Sequence, residues 1–331
     1  MSKENKVKAL GLLSGGLDST LAVKLMLEQG VDVIAINFVT PFCLCRKGGC
    51  GATEAAKTFN IPLKTVSAGT DYLRMVRTPK YGYGKNLNPC VDCRIFMLKK
   101  AKKYAKEVGS KFIFTGEVLG QRPMSQHRIA LNLIEREAGL RGKIVRPLSG
   151  LLLPETEAES KGLIDKQALR DISGRSRKKQ IEMTKEFNFV NYPCAGGGCL
   201  LTDREFAKKL RDLFQHKKRI AVKEVNLLKV GRHFRIGECK IIVGRNEAEN
   251  AILMRTKQKT DYCFEVAGCG SPITILKGPK TRSAIEKAAG LTAFYSDKKS
   301  GEVEVSFGKT KPNKSMTVLA STPTEAENCK V

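Results

Sequence analysis

A chain of 331 residues, 41% hydrophobic and 28% charged, is long enough for two domains with sizeable cores, and this composition excludes global disorder. Its 59 Lys and Arg residues against 33 Asp and Glu residues give a net charge of +26, which indicates a polyanionic partner, above all nucleic acid; a basic surface kept only for solubility is the alternative. No apolar run reaches the roughly 18 residues of a membrane span and no signal-peptide core is present, so we expect a cytoplasmic protein with no membrane partner.

The first two hundred residues alternate between short apolar runs and stretches of helical periodicity. Strands are predicted at residues 7–13, 31–39, 63–66 and 111–115, and helices at residues 17–29, 53–59 and from Cys93 onward. Strands separated by helices predict a parallel sheet with helices on both faces, which is an α/β fold.

The pattern changes near residue 205. Short β-type stretches follow, separated by glycines, at residues 225–230, 233–236, 240–243, 273–276 and 303–307. We therefore expect a first domain at residues 1–204, a smaller α+β domain at residues 205–308 and, because residues 309–331 have little apolar content, a disordered tail.

The run Ser-Gly-Gly-Leu-Asp-Ser at residues 14–19 stands between the first predicted strand and the first predicted helix. Free backbone N–H groups and the positive end of a helix bind anions at such a junction, and the two glycines let a phosphate approach the backbone. Asp18 fits beside phosphate if it serves Mg²⁺ or orients the loop. The chain has no Walker P-loop, and a glycine-rich turn without a ligand is the structural alternative.

Eleven cysteines in a chain without a secretory signal favour metal, cluster or thiol chemistry over a disulfide scaffold. Within the first two hundred residues they fall into three groups, which are Cys43, Cys45 and Cys50, then Cys90 and Cys93, then Cys194 and Cys199. The second group opens a predicted helix, where thiolates are stabilised, and the third follows or flanks a glycine run. The first group could form a second metal site or supply sulfur to the main one; reduced loop cysteines are the alternative.

Three motifs carry a resemblance to known enzymes. The Ser-Gly-Gly-x-Asp-Ser run resembles the pyrophosphate loop of the PP-loop ATP-pyrophosphatases, which adenylate a substrate and release pyrophosphate. Residues 88–93, Asn-Pro-Cys-Val-Asp-Cys, resemble a stretch of the tRNA 2-thiouridylases. Residues 115–121, Thr-Gly-Glu-Val-Leu-Gly-Gln, with residues 125–126, resemble a segment of the tRNA 4-thiouridine synthetases of the ThiI family. The likeness covers residues 5–205 and implies a PP-loop fold, which is adenine nucleotide alpha hydrolase-like.

The resemblance also implies the site residues. The expected nucleotide and Mg²⁺ site comprises Ser14, Gly15, Gly16, Asp18, Ser19, Thr115, Gly116 and Gln121. A 4Fe–4S cluster on Cys90, Cys93 and Cys199, with one iron open for sulfide, is implied by the cluster-dependent tRNA thiolases, and Cys194 could replace Cys199. Asp18, Cys93 and Cys199 are the expected catalytic residues. Three alternatives remain open, namely a metal-free persulfide pair of Cys93 and Cys199, a closed zinc site that adds Cys194, and a buried cysteine pair with no role.

The second domain resembles the RNA-binding domain of the NFACT proteins, chiefly in Gly-Arg-Asn-x-x-x-Asn at residues 244–250. The family's Asp-x-x-Phe-His stretch ends here in Glu265, so no role of that histidine is carried over. The expected RNA contacts in this domain are Arg232, Arg235, Arg245 and Asn246. In the first domain they are Arg122 and Gln126. Turn residues and ion pairs inside a small β domain are the alternative for the four in the second domain.

Together these features predict ATP-dependent thiolation of a tRNA uridine, with adenylation of the base carbonyl followed by sulfur transfer. The expected cofactors are ATP, Mg²⁺ and the cluster. The expected partners are tRNA and a sulfur donor, either sulfide or a cysteine desulfurase relay. Two alternatives remain. A PP-loop ligase or sulfurtransferase acting on a small molecule is opposed by the net charge, and a non-catalytic RNA-binding module is opposed by the intact loop.

Overall fold

The structure is a computed structural model, and it describes residues 6–43, 51–187, 198–298 and 301–331. The chain divides into two compact units, unit 1 at residues 1–203 and unit 2 at residues 204–331. This division lies one residue from the boundary that the composition predicts. Among the described residues, no helix combines the length and the apolar character that crossing a bilayer requires.

Unit 1 alternates strands and helices along the chain. Its strands are β1 (Lys8–Leu12), β2 (Asp32–Val39), β3 (Leu63–Ser67), β4 (Phe112–Thr115) and β5 (Ile144–Val145). Its helices are α1 (Leu17–Glu28), α2 (Gly51–Thr58), α3 (Thr70–Arg77), α4 (Cys90–Glu107), α5 (Arg128–Ala138), α6 (Glu157–Ser160) and α7 (Lys178–Glu186). All strand pairs are parallel and the order is β3-β2-β1-β4-β5, which confirms the predicted α/β fold.

Apolar side chains cover both faces of this sheet. The central strands are therefore almost wholly apolar, β1 after Lys8 and β4 up to Thr115. Leu17, Leu21 and Leu25 recur at helical spacing on α1 and pack into the core on one face. Ile95 and Leu98 of α4 pack into the core on the other face. Helix α4 begins at Cys90, three residues before the predicted start, with Pro89 as its N-cap residue.

The order of the strands determines where a ligand can bind. β1 lies between β2 and β4, so the direction of chain progression reverses at the β1–β4 junction. Leu12 at the end of β1 pairs with Thr115 at the end of β4. Ser14 and Gly116 therefore leave the sheet from adjacent strand ends. Open parallel sheets bind ligands at this switch point, outside the carboxyl ends of the strands.

Unit 2 is built around an antiparallel sheet. Its helices are α8 (Arg204–His216), α9 (Val222–Leu227), α10 (Glu247–Thr256), α11 (Arg282–Phe294) and α12 (Pro323–Cys329). Its strands are β6 (Arg232–Ile236), β7 (Cys239–Val243), β8 (Tyr262–Val266), β9 (Thr274–Lys277), β10 (Glu302–Gly308) and β11 (Lys314–Leu319), in the order β11-β10-β8-β9-β7-β6. Helix α11 packs into the larger core, and Leu253 of α10 joins a smaller core with Ile242 and Ile275. The predicted α+β character is confirmed.

The predicted disordered tail at residues 309–331 is wrong. β11 pairs with β10 along its whole length, from Lys314 opposite Phe307 to Leu319 opposite Glu302. Helix α12 follows, with Pro323 in its first turn and a capping box formed by Thr322 and Glu325. The composition misleads because an edge strand buries only alternate residues and because Pro and Thr here start a helix.

The β-type stretch predicted at residues 225–230 is also wrong, because α9 occupies its first half and a turn follows. The Glu224 carboxylate accepts a hydrogen bond from the Ala221 N–H at 3.0 Å and so closes the start of the helix. Val225 is fully buried, so its packing outweighs the weak helix propensity of a β-branched residue.

Candidate nucleotide and sulfur site

Hydrogen bonds within the loop between β1 and α1 hold it in shape. The Ser19 hydroxyl donates to the Gly16 carbonyl at 2.8 Å and lies 3.1 Å from the Ser14 hydroxyl. Gly16 is the N-cap of α1, and no side-chain hydrogen bond caps the helix among the described residues. The first N–H groups of α1 therefore face the switch point and are available to an anion such as phosphate.

Two glycines allow this loop to sit where it does. Gly15 has a φ of +75°, and a Cβ there would lie 2.1 Å from the Ala52 backbone nitrogen. A Cβ on Gly116 would lie 2.5 Å from the Ser19 Cα. Both distances are far inside van der Waals contact, so the close approach of the loop to α2 and to the end of β4 requires glycine at both positions.

Asp18 is a partly buried carboxylate on the first turn of α1. Burial raises its pKa, and this effect is opposed by the Arg177 and Arg122 guanidinium groups and by the amides of Gln121 and Gln180. The Gln180 Nε2 donates to Asp18 Oδ1 at 3.4 Å, whereas the buried Gln121 Nε2 makes no hydrogen bond of normal geometry among the described residues. One such carboxylate beside a phosphate site is the protein contribution that Mg²⁺ commonly uses.

A buried ion pair joins the end of β4 to α4, the helix that carries Cys90 and Cys93. Glu117 is 2% exposed and pairs with Arg94 at 3.4 Å and Arg146 at 3.2 Å. Burial raises the pKa of Glu117, but the two arginine charges outweigh it and the net pKa is lowered. The Thr115 hydroxyl donates to the same carboxylate at 3.1 Å, so it supports the site rather than pointing freely into it. Because Arg94 follows Cys93, this pair fixes α4 against the switch point.

Backbone pairing brings the third predicted cysteine to the first turn of α4. Cys199 lies in a short segment whose next residue, Leu200, donates its N–H to the Phe42 carbonyl at 3.0 Å. The Asn86 side chain donates to the Thr202 carbonyl at 2.7 Å, on the other side of the segment. These anchors hold Cys199 between the end of β2 and the loop that leads into α4.

The thiols of this region are close enough to affect one another. Burial, with smaller contributions from Cys93, Cys43 and Cys90, raises the pKa of Cys199 to about 12. The Tyr72 hydroxyl lies 3.1 Å from the Cys93 sulfur. The structure therefore brings together the three predicted cysteines and adds Cys43, which the sequence left in a separate group. Cys45, Cys50 and Cys194 lie outside the described residues.

The thiols of this region are the candidate ligands of a metal centre. Within the described ranges, no three His, Cys, Asp or Glu side chains are close enough to hold one metal ion. The predicted closed zinc site adds Cys194, which lies outside the described residues. An iron–sulfur cluster accepts more widely separated thiolates because each binds a different iron. The chemistry of the donor set, several thiols and no histidine, fits such a cluster.

Arg122 connects the loop with the thiols. Burial and the neighbouring Arg94 charge lower the pKa of Arg122, and both Cys90 and Asp18 raise it. The Arg122 guanidinium thus interacts with a carboxylate of the phosphate loop and with the Cys90 thiol. A Cβ on Gly116 would meet Ser19 of the loop, and Glu117 pairs with Arg94 of α4, so the loop and the start of α4 form one continuous region at the switch point of the sheet.

The structure adds residues to this region that the sequence analysis did not assign to it. They are Tyr72, Arg94, Glu117, Arg146, Arg177 and Gln180. Arg177 stands in a basic run at residues 175–179, which by itself indicates a surface patch rather than a nucleotide site. Glu117 lies in the quoted segment at residues 115–121, although no role was assigned to it. The other four have no local signature because their partners are distant in sequence.

The predicted RNA contact at Gln126 is corrected by its burial. The side chain is 2% exposed. Its backbone carbonyl accepts from the Gly120 N–H at 2.7 Å and its N–H donates to the Arg122 carbonyl at 3.0 Å. Gln126 therefore shapes the loop that presents Arg122, and its side chain is not available to RNA.

In unit 2, the four predicted RNA contacts all make internal interactions. Arg232 stacks on the Tyr295 ring at 4.4 Å. Arg245 pairs with Glu249, and Asn246 caps α10 by accepting from the Glu249 N–H at 3.0 Å. These contacts match the structural alternative of turn residues and ion pairs. The Arg245 side chain is still 47% exposed, so its charge also faces solvent.

Arg235 has a firmer structural role. It donates two hydrogen bonds of 2.8 Å to Asp212 of α8, and Lys240 on the neighbouring strand donates a third at 2.6 Å. The Asp212 side chain is 8% exposed. Burial raises its pKa, but these hydrogen bonds and charges outweigh burial and lower the pKa to about 2.

Asp212→Asn should destabilise the protein by about 2 kcal/mol at neutral pH, because the folded state lowers the pKa of this carboxylate by roughly two units. A lowered folded pKa gives stability that is present above the unfolded pKa of about 4 and lost as the pH falls toward about 2. Urea unfolding of the two proteins from pH 7 to pH 2 should show the difference shrinking in that window. The exposed Asp171, paired with Lys179, provides a control, since Asp171→Asn should have little effect. A difference that persists unchanged at pH 2 would contradict the ion-pair explanation.

The parallel sheet of unit 1 carries a Ser-Gly-Gly-x-Asp-Ser loop at its switch point, which is the arrangement that the resemblance to PP-loop enzymes implies. Comparisons with known proteins agree. The family model described as "Thiamine biosynthesis protein (ThiI)" matches residues 5–157, and the model described as "NFACT protein RNA binding domain" matches residues 231–330. Residues 5–157 thus resemble the ThiI family and residues 231–330 resemble the NFACT RNA-binding domain, the two families to which the motifs point.

Curated relatives and a solved structure resemble parts of the chain. A probable tRNA sulfurtransferase from Thermococcus kodakarensis is 32% identical over 152 residues, which is 44% of this chain and 37% of that protein. The tRNA-specific 2-thiouridylase MnmA from Clostridium acetobutylicum is 34% identical over 127 residues, 34% of this chain and 36% of that protein. The chain thus spans little more than a third of these relatives. A crystal structure of a 4-thiouridine synthetase–RNA complex with bound ATP is 22% identical, covers 66% of this chain and 52% of that chain, and has a TM-score of 0.37.

Proposed function

We propose that this protein is an enzyme that thiolates a uridine of tRNA at the expense of ATP. The observation that carries the proposal is the contact between the phosphate loop and the start of α4, because Gly116 lies against Ser19 and Glu117 pairs at 3.4 Å with Arg94, the residue after Cys93. An activated base held at the loop would therefore be within reach of a sulfur held by the thiols. The ThiI-type match and the curated tRNA sulfurtransferase and thiouridylase relatives support the same activity.

In the first step, the loop binds ATP. The N–H groups at the start of α1 and the Ser14 and Ser19 hydroxyls hold the phosphates, and Asp18 holds Mg²⁺. The uridine carbonyl oxygen attacks the α-phosphorus, the bond to the β-phosphate oxygen breaks, and pyrophosphate leaves. Arg122 and Arg177 stabilise the negative charge that develops on the phosphates.

In the second step, a sulfur nucleophile adds to the ring carbon, the carbon–oxygen bond breaks, and AMP leaves. Cys90, Cys93 and Cys199 are the proposed ligands of a 4Fe–4S cluster, which would supply the sulfide for this step. The protein's own contribution is to orient these thiols. The Arg94–Glu117 pair fixes α4, and Tyr72 contacts the Cys93 sulfur. Sulfide or a cysteine desulfurase relay would deliver the sulfur.

Unit 2 is proposed to bind a part of the tRNA other than the reacting base. Its match to the NFACT RNA-binding model and the high net charge of the chain support this role. Arg232 and Arg245 are the proposed contacts to RNA phosphates, because each keeps surface exposure beside the glycine turns at Gly231 and Gly244. Arg235 and Asn246 support this surface indirectly, because Arg235 pairs with Asp212 and Asn246 caps α10.

The function is tested by incubating the purified chain with ATP, Mg²⁺, sulfide and unmodified tRNA. AMP and pyrophosphate should form only when tRNA is present, and mass spectrometry of the digested tRNA should reveal one new thiolated nucleoside. ATP turnover that is indifferent to tRNA would favour a small-molecule substrate instead.

Asp18→Asn should lower tRNA-dependent pyrophosphate release by about 100-fold or more, because it removes the carboxylate that places Mg²⁺ against the phosphates. RNA binding, measured by gel shift, should stay unchanged. Asp32→Asn, at an exposed carboxylate in the same unit, is the matched control and should retain full turnover. If Asp18→Asn retained normal turnover, the loop would have no role in catalysis.

A further inference from the structure

Cys43 and Cys199 face each other across an isolated antiparallel bridge. The hydrogen bond from the Leu200 N–H to the Phe42 carbonyl lies beside this pair rather than within it. That pattern identifies Cys43 and Cys199 as a non-hydrogen-bonded pair. In such a pair the Cα atoms are about 4.5 Å apart and the two side chains leave the bridge on the same side.

This arrangement matches the geometry of a disulfide. Disulfide-bonded cysteines have Cα atoms about 4.4–6.8 Å apart, so the bridge needs little movement to allow the bond. Both residues are free thiols and both are partly exposed, so a small oxidant can reach them.

The two thiols differ in their surroundings. The Thr40 N–H donates to the Cys43 sulfur at 3.3 Å, and the Thr40 hydroxyl lies 3.4 Å from the same sulfur. These contacts hold the Cys43 sulfur in place at the bridge. In thiol–disulfide exchange one thiol attacks the small disulfide and a second resolves the mixed disulfide, and the bridge holds Cys43 and Cys199 close enough for both steps.

We propose that Cys43 and Cys199 form a reversible disulfide with small-molecule disulfides as the oxidant. The Cys43 thiolate attacks one sulfur of the small disulfide, whose S–S bond breaks, and one small thiolate leaves. Cys199 releases its proton to water and attacks the Cys43 sulfur, and the second small thiolate leaves. The two cysteines together lose two electrons, and the small disulfide gains them.

This bond would control the neighbouring thiols. Cys199 in a disulfide cannot act as a thiolate ligand or as a persulfide carrier, so the site would be switched off under oxidising conditions and restored by reduction. The bond itself depends on the bridge and not on the proposed function, so each can fail without the other.

The test treats the full chain, freed of metal, with oxidised glutathione, then blocks free thiols with iodoacetamide and maps the peptides by mass spectrometry. We expect a peptide containing Cys43 to be linked to one containing Cys199, and dithiothreitol to release both. Cys43→Ser should leave Cys199 open to alkylation, and Cys269→Ser in unit 2 should leave the link unchanged. A result in which Cys43 and Cys199 stay alkylatable while Cys90 bonds to Cys93 would overturn the proposal.

A second readout is the uptake of iron and sulfide on anaerobic reconstitution. Oxidised protein should lose this uptake, and prior treatment with dithiothreitol should restore it. Protein that carries the mapped disulfide and yet takes up a full complement of iron would refute the proposed control of the site.

Discussion

Gly15→Ala should weaken ATP binding by about 100-fold, because a displacement of about 1 Å at such a site has an effect of that size. The added Cβ would lie 2.1 Å from the Ala52 nitrogen and 2.2 Å from the Gly51 carbonyl carbon. Neither atom can yield as a flexible side chain can, since both belong to the backbone at the start of α2. The loop must therefore move away from α2, and the N–H groups and hydroxyls that face the phosphates move with it.

Gly30→Ala is a matched control for this substitution. Gly30 has a φ of +73°, close to that of Gly15, but a Cβ there would meet nothing within 4 Å. Both variants carry the same cost of a left-handed alanine, on the order of 1–2 kcal/mol, and only Gly15→Ala adds the collision. Titration calorimetry with Mg²⁺ and ATP, together with urea unfolding, separates the two effects. Equal ATP affinity in both variants would show that the loop does not hold the phosphates.

Cys93→Ser should remove iron from the protein and abolish tRNA thiolation. Wild-type protein purified without oxygen should be brown, and the variant should be colourless, because the thiolate that it loses is one of three proposed cluster ligands. Serine is nearly the size of cysteine and can keep the contact with the Tyr72 hydroxyl, so the fold should survive. Cys199→Ser should behave in the same way, whereas Cys269→Ser in unit 2 should keep its iron. Iron and acid-labile sulfide analysis, with circular dichroism as a check on folding, measures the outcome.

Colourless wild-type protein with stoichiometric zinc would reject the cluster. Brown Cys93→Ser protein with a full iron content would reject Cys93 as a ligand. Thiolation activity in protein that contains no metal would favour the persulfide pair of Cys93 and Cys199.

The sequence was sufficient to predict the features of unit 1 that depend on neighbouring residues. Apolar runs alternate with stretches of helical periodicity, and this alternation predicted the parallel sheet of unit 1. An apolar run and a helical period can each be read from neighbouring residues. The position of the glycine-rich loop between a strand and a helix predicted an anion site at the start of α1, and the strand order then placed that loop at the switch point. The errors fell where tertiary packing outweighs local composition. Residues 309–331 looked polar because β11 is an edge strand, and Val225 looked β-like although its buried packing holds a helix.

By itself, the sequence determined the fold class of both units and the loop at residues 14–19, because each depends on consecutive or regularly spaced residues. The three cysteines of the proposed cluster come from a resemblance and stay a prediction. Only the tertiary structure decided that Cys43 joins those cysteines and that Arg235 is bound to Asp212. It also decided that Glu117 ties α4 to the loop through Arg94. Such contacts join residues that are far apart in the chain, and their existence depends on the order of strands in a sheet, which no local pattern encodes.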